Sequence, residues 1–122
     1  MVMIHIIDDD QSVRDGFTML LKSAGFECDS FEGVEEFLDQ CKLNVNDLLI
    51  LDIHLTGMNG CVLLEHMTKR GLHNPVIIVT AYDELATRKA AKNHGALAYL
   101  RKPVDSEALV DLVKFAVTKK HN

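Results

Sequence analysis

The residues best equipped for chemistry in this chain are mostly acidic, and they stand at the ends of apolar runs. Asp8, Asp9 and Asp10 follow the run Val2 to Ile7, and Asp52 follows Leu48 to Leu51. Thr80 follows Val76 to Val79, and Arg101, Lys102 and Pro103 follow Leu97 to Leu100. Carboxylates crowded together repel and raise one another's pKa. A hard divalent cation relieves that repulsion, and Mg2+ suits a site of one or two carboxylates, a carbonyl oxygen and waters. With the Lys102 ammonium and the Thr80 hydroxyl facing the same pocket, the set suits an arriving phosphoryl group. Metal and lysine neutralise its oxygens while a free carboxylate attacks phosphorus.

Such a site needs a scaffold that delivers four strand ends to one edge. Five short β-branched or aliphatic runs alternate with segments of helical period, which predicts one parallel sheet. After Val2 to Ile7, the apolar positions Val13, Phe17, Leu20, Leu21 and Ala24 step by three and four, and Gly25 stops the helix as a left-handed cap. Phe26 to Phe31 reads as a second strand, with Val34, Phe37, Leu38 and Cys41 as the buried stripe of a second helix. Leu48 to Leu51 has no polar break, as a central parallel strand covered on both faces requires. A third helix after Gly60 turns Leu63, Leu64 and Met67 inward and ends at Gly71. Pro75 opens the fourth strand, where its missing N–H does least harm. The fourth helix, about Glu84 to His94, has mostly alanine for an apolar face and should pack lightly. Leu109, Leu112, Val113, Ala116 and Val117 define the last, capped by Asp105 or Ser106, and Thr118 to Asn122 reads as a frayed tail. Five right-handed βα units give a doubly wound, flavodoxin-like α/β sandwich of three layers with strand order 2-1-3-4-5. Ligands in such sheets lie beyond the carboxyl ends of the strands where the order reverses, which is where Asp8, Asp9 and Asp52 would meet.

Composition narrows the field further. At 122 residues, 48% apolar and with no linker or low-complexity stretch, residues 1–122 form one domain able to rest on its own core. The three cysteines, Cys28, Cys41 and Cys61, are far apart and in no metal-binding spacing, so they read as core thiols of a reducing, cytoplasmic compartment. A net charge of −5 argues against a nucleic-acid surface, which needs a basic patch. No apolar run approaches membrane-spanning length, and Met1 leads into a strand rather than a signal peptide.

On these residues the sequence resembles the receiver domain of bacterial two-component response regulators over nearly its whole length. The resemblance rests on Ile6-Ile7-Asp8-Asp9-Asp10, on Ile50-Leu51-Asp52-Ile53-His54-Leu55 with Gly60 eight positions after the aspartate, on Ile78-Val79-Thr80-Ala81, and on Tyr99-Leu100-Arg101-Lys102-Pro103. It implies that Asp52 accepts a phosphoryl group from a sensor histidine kinase or histidine phosphotransfer protein. It further implies that Asp9 binds Mg2+ directly, Asp8 through water, and the His54 backbone carbonyl as a third protein ligand. Thr80 and Lys102 match the phosphoryl-contacting hydroxyl and ammonium, Thr80 and Tyr99 the switch pair, and the Lys102–Pro103 peptide is implied to be cis. Helix four, strand five and helix five would then face a partner, an output domain or a second copy on phosphorylation. Direct contact with nucleic acid or membrane is not expected, and the only activity expected is Mg2+-dependent self-phosphorylation and autodephosphorylation. The chain departs from the family pattern at Thr56, Gly57 and Asn59, where a proline and an acidic residue are common, so a looser loop is expected there.

Plainer readings exist for several of these residues. Asp10 reads as the solvated start of the first helix, and the His54 imidazole as a rim side chain that could modulate access of water. Tyr82 reads equally as a loop tyrosine or a second modulator, and Arg88, Lys89 and Lys92 as a solvated helix face. Met58 and Met67 read as loop and core. A rival function is a haloacid-dehalogenase-like phosphatase with Asp8 as nucleophile, although the acids after Lys102 are only Asp105, Glu107 and Asp111. A flavodoxin-like electron carrier would place three aspartates against a phosphate, and a receiver-like binding module independent of phosphorylation would have no use for the intact acidic set. Either a single-domain regulator or a receiver taken from a longer protein fits the sequence.

Overall fold

The computed structural model describes residues 2–54, 59–82 and 84–119. Strands β1 (Met3–Ile7), β2 (Glu27–Phe31), β3 (Leu48–Leu51), β4 (Val76–Thr80) and β5 (Ala98–Arg101) alternate with helices α1 (Gln11–Ser23), α2 (Val34–Gln40), α3 (Gly60–Lys69), α4 (Leu85–Asn93) and α5 (Ser106–Lys119). All pairings are parallel, and the order is β2-β1-β3-β4-β5, as the alternation predicts.

The period of two along each strand builds two separate cores. Ile4 and Ile6 of β1, Leu48 and Ile50 of β3 and Ile77 and Val79 of β4 share one cluster with Leu21 of α1 and Leu109 and Val113 of α5. The intervening Ile7, Leu49, Leu51, Val76 and Ile78 join the other, with Phe37 of α2, Leu63 of α3 and Ala91 of α4. The sheet is therefore covered on both faces, and each fully buried Ile or Leu contributes about 1.5–3 kcal/mol relative to exposure.

The helix ends follow from local chemistry. Asp10 does more than begin α1: its carboxylate accepts from the Ser12 and Val13 N–H groups at 2.8 and 3.4 Å as the N-cap. Asn59 caps α3 by accepting from the Cys61 N–H at 2.7 Å, and Asp105 accepts from the Glu107 N–H at 3.0 Å ahead of α5. Gly25 and Gly71, at φ of 94° and 69°, provide the left-handed turns expected after α1 and α3.

Some boundaries and burials differ from expectation. Thr80 and Arg101 lie within their strands rather than after them, and Thr118 and Lys119 continue α5 rather than fray. Leu38 is 41% exposed, because the seven-residue α2 turns only Val34 and Phe37 fully inward. The three cysteines are half-buried at the margins of the cores rather than inside them. The departures at Thr56 and Gly57, and Met58, lie outside the described residues.

Candidate functional site

Register brings the acids together. Ile7 of β1 pairs with Leu51 of β3, so Asp8 and Asp52, the next residue of each strand, emerge side by side. The ladder holds them there: the Asp52 N–H donates to the Ile7 carbonyl at 2.9 Å, and the Asp8 N–H to the Phe31 carbonyl at 3.1 Å. Asp8 and Asp52 are 1% and 5% exposed, whereas Asp9 faces solvent. One carboxylate oxygen from each of the three lies within 4.8 Å of the others.

Lys102 enters this cluster from the far side. Its backbone N–H donates to the Thr80 carbonyl at 2.7 Å, and its Nζ donates to Asp8 Oδ2 at 2.6 Å and Asp52 Oδ2 at 3.1 Å. The Lys102–Pro103 peptide is cis, as the family resemblance implies. The remaining oxygens are held by backbone donors, Asp8 Oδ1 by the Asp10 N–H at 2.9 Å and Asp52 Oδ1 by the His54 N–H at 3.1 Å. Arg14 braces the turn by donating from Nη1 to the Asp8 carbonyl at 2.7 Å.

Electrostatics follow from this packing. Burial pushes the Asp52 carboxyl above the usual aspartate range; Lys102 pulls it down and the Asp8 charge pushes it up, and the net is a rise. Burial pulls on Lys102 in the opposite sense, but its hydrogen bond to Asp8 and the charges of Asp52 and Asp8 outweigh it and hold the ammonium above the usual lysine range. Among the described residues, Asp8 and Asp52 share the Lys102 ammonium with the exposed Asp9 beside them, and this oxygen-only donor set fits a hard divalent cation such as Mg2+.

Gly60 makes the cluster's floor possible. A Cβ there would stand 2.6 Å from the Asp52 carbonyl oxygen and 3.0 Å from Ile53 Cα, so α3 can start against the backbone that carries Asp52 only without a side chain.

Thr80 and Tyr99 meet elsewhere than at the acids. The fully buried Thr80 hydroxyl accepts from the Tyr82 N–H at 3.2 Å and lies 3.4 Å from the Tyr82 carbonyl. The Tyr99 hydroxyl donates to that same carbonyl at 3.3 Å, and the Arg88 guanidinium sits 4.8 Å from the Tyr99 ring centre. Arg88 is therefore more than a solvated charge. The Tyr82 ring is 62% exposed and packs edge-on against His54 at 5.1 Å, and His54 Nε2 stands 3.4 Å from Glu84 Oε1. Of the sequence-predicted residues, Asp8, Asp9, Asp52 and Lys102 converge directly; Thr80, Tyr82 and Tyr99 form an adjoining group, bridged to the acids by His54. The shared Tyr82 peptide, Arg14 and the Gly60 contact were missed. Only the spacing of Gly60 from Asp52 carried any signal for them.

The chain as a whole has known relatives. The model of the response regulator receiver domain matches residues 4–114. The chain is 39% identical over 113 residues to the DNA-binding transcriptional regulator NtrC of Klebsiella pneumoniae, covering 93% of this chain and 24% of that one. It is 31% identical to the transcriptional regulatory protein FixJ of Azorhizobium caulinodans, covering 91% and 53%. The chain thus spans between a quarter and about half of these curated relatives. A crystal structure of a CheY-like response regulator receiver domain protein from Methanospirillum hungatei superposes with a TM-score of 0.88 at 30% identity, covering 99% of this chain and 97% of that one.

Proposed function

From a chain that belongs to the response regulator receiver family, we propose a phosphoacceptor in which Asp52 takes a phosphoryl group from a sensor histidine kinase or phosphotransfer protein. The observation that carries this choice is the unequal grip on the two buried acids. Asp8 is held at 2.6 and 2.9 Å, whereas both contacts of Asp52 are at 3.1 Å and its carboxyl is displaced upward. The looser carboxylate is the better placed to exchange its partners for phosphorus. Asp8 is better suited to anchoring Lys102, which disfavours the phosphatase reading. Asp105, the first acid after Lys102, is engaged at the start of α5, and the exposed Glu107 and Asp111 follow on the helix itself.

In the reaction, an Asp52 oxygen forms the new O–P bond as the bond from phosphorus to the donor's imidazole nitrogen breaks, and the departing nitrogen keeps the electron pair. Lys102 moves from the carboxylate to a phosphoryl oxygen, and Asp8 keeps it oriented. Asp9, Asp52, the His54 carbonyl and, through water, Asp8 would hold Mg2+, which supplies neutralising charge to the phosphoryl oxygens. His54 and Tyr82, packed together beside the acceptor, would limit the approach of hydrolytic water.

Thr80 would signal the change. Drawn to a phosphoryl oxygen, its hydroxyl gives up Tyr82, whose carbonyl also holds the Tyr99 hydroxyl, so the Tyr99 ring is freed to turn inward and α4 to shift. Residues 1–122 act as one receiver, and Leu85 on α4 and Phe115 on α5, 67% and 53% exposed, leave apolar surface on these two helices for a partner, an output domain or a second copy.

The deciding experiment incubates the protein with a small phosphodonor and Mg2+ and follows mass. Asp52→Asn should abolish labelling while Asp8→Asn only slows it. Labelling that survives in the first variant and vanishes in the second would establish Asp8 as the nucleophile instead.

A further inference from the structure

His5 is a histidine in the middle of an apolar strand, 3% exposed and three residues before the first acid of the cluster. Each ring nitrogen meets a carboxylate: Nδ1 lies 2.6 Å from Asp29 Oδ1 of β2, and Nε2 lies 2.8 Å from Asp47 Oδ2, just before β3. A neutral imidazole can donate from only one nitrogen. Two such contacts therefore require a proton on each, or one carried by a carboxylate. The third titratable group against the ring is Cys41, just past α2, whose Sγ lies 3.6 and 3.7 Å from the two nitrogens. Burial, with the charges of Asp29 and Asp47, pushes that thiol up to about 11, so it brings no charge of its own. Phe31 and Phe37 close the remaining sides, with ring centres at 6.3 and 5.7 Å.

The two carboxylates are not equivalent. Asp47 is 1% exposed and also accepts from the Met3 N–H at 3.1 Å and the Asn44 N–H at 3.0 Å, so it cannot leave. Asp29 is 43% exposed and can turn to water. We propose that His5 is a proton-operated tie in which the charged ring bridges Asp29 and Asp47, and the neutral ring keeps Asp47 through Nε2–H and releases Asp29. The proton lost is the one on Nδ1, and it goes to solvent. Edge strand β2 thereby gains or loses a side-chain anchor to β1 with pH. This device does not depend on which aspartate accepts phosphate.

Histidine-ring 1H–15N correlation spectra of the whole chain, followed over a pH series within which the protein stays folded, test the assignment. Both ring nitrogens should carry protons at the acid end. With rising pH the Nδ1 resonance alone should move to a proton-free position, together with β2 amides, while the Met3 and Asn44 amides stay in place. In Asp29→Asn, whose amide can either accept from or donate to Nδ1, the β2 amides should lose that pH-linked shift. A ring with one proton throughout, deprotonation at Nε2, or an unchanged β2 response in Asp29→Asn would each overturn the proposal.

Discussion

Two groups of buried acids along the same sheet solve the same electrostatic problem in opposite ways. Beside the middle of β1 two carboxylates, Asp29 and Asp47, meet the imidazole of His5, and the buried one also receives two backbone N–H groups. Asn74 seals the same corner by donating to the carbonyls of Asn44 and Asp47, both at 2.9 Å. At the carboxyl end Asp8 and Asp52 share one ammonium, with the solvent-facing Asp9 beside them. Burial pushes both Asp47 and Asp52 upward. At Asp47 the bonds from His5, Asn44 and Met3 outweigh it and hold the carboxyl below its usual range, whereas Asp52 remains raised. A saturated acid supports the fold; an acid left with unspent charge is available for chemistry.

The sharpest way to break this contrast is to neutralise each acid in turn. Asp52→Asn should remove phosphoryl labelling entirely and yet raise the thermal midpoint in metal-free buffer, since it relieves a buried charge. A lowered midpoint would place Asp52 with the structural acids. Lys102→Ala should slow labelling by about a hundredfold, the scale of losing one preorganised charge at a reacting centre, as followed by mass over time. Asp47→Asn should do the reverse, costing about 2 kcal/mol in a urea titration while the labelling rate of the folded protein is unchanged.

Acid response separates the two groups more finely. The lowered Asp47 carboxyl contributes stability above its unfolded pKa that is lost as pH falls through the folded one. The raised Asp52 carboxyl has the opposite sign, contributing below its unfolded pKa and losing that contribution as pH rises through the folded value. In urea midpoints measured from about pH 6 down to about 3, spanning the free aspartate value, Asp52→Asn should steepen the loss of stability and Asp47→Asn should flatten it. Parallel curves for the two variants would show the two acids to be alike.

Much of this was legible in the sequence because it is carried by period and position. The apolar run of β3 announced a strand buried on both faces, and strand order then placed Asp8 beside Asp52. Lys102 was readable for the same reason, two residues past the last predicted strand. The tie around His5 was not, because Asp29 and Asp47 lie 24 and 42 residues away and meet it only through register and a loop. Nor could the sequence reveal that Thr80 and Tyr99 share one acceptor, since that acceptor is a backbone carbonyl, present at every residue. The exposure of Leu38 was misjudged because a helix of only seven residues has too little length for a full apolar stripe.

Helix α4 buries only Ala91 and begins at Glu84 without a side-chain cap, whereas α1 and α3 are capped by Asp10 and Asn59. Its amides should therefore exchange with solvent through brief local openings, well before those of β3 or β4. A partner that docked on α4 would have to order this weakly anchored helix, and part of its contact energy would go into that ordering. In the proposed switch, such a partner would bind more tightly to whichever receiver state orders α4 and would leave sooner from the state that does not.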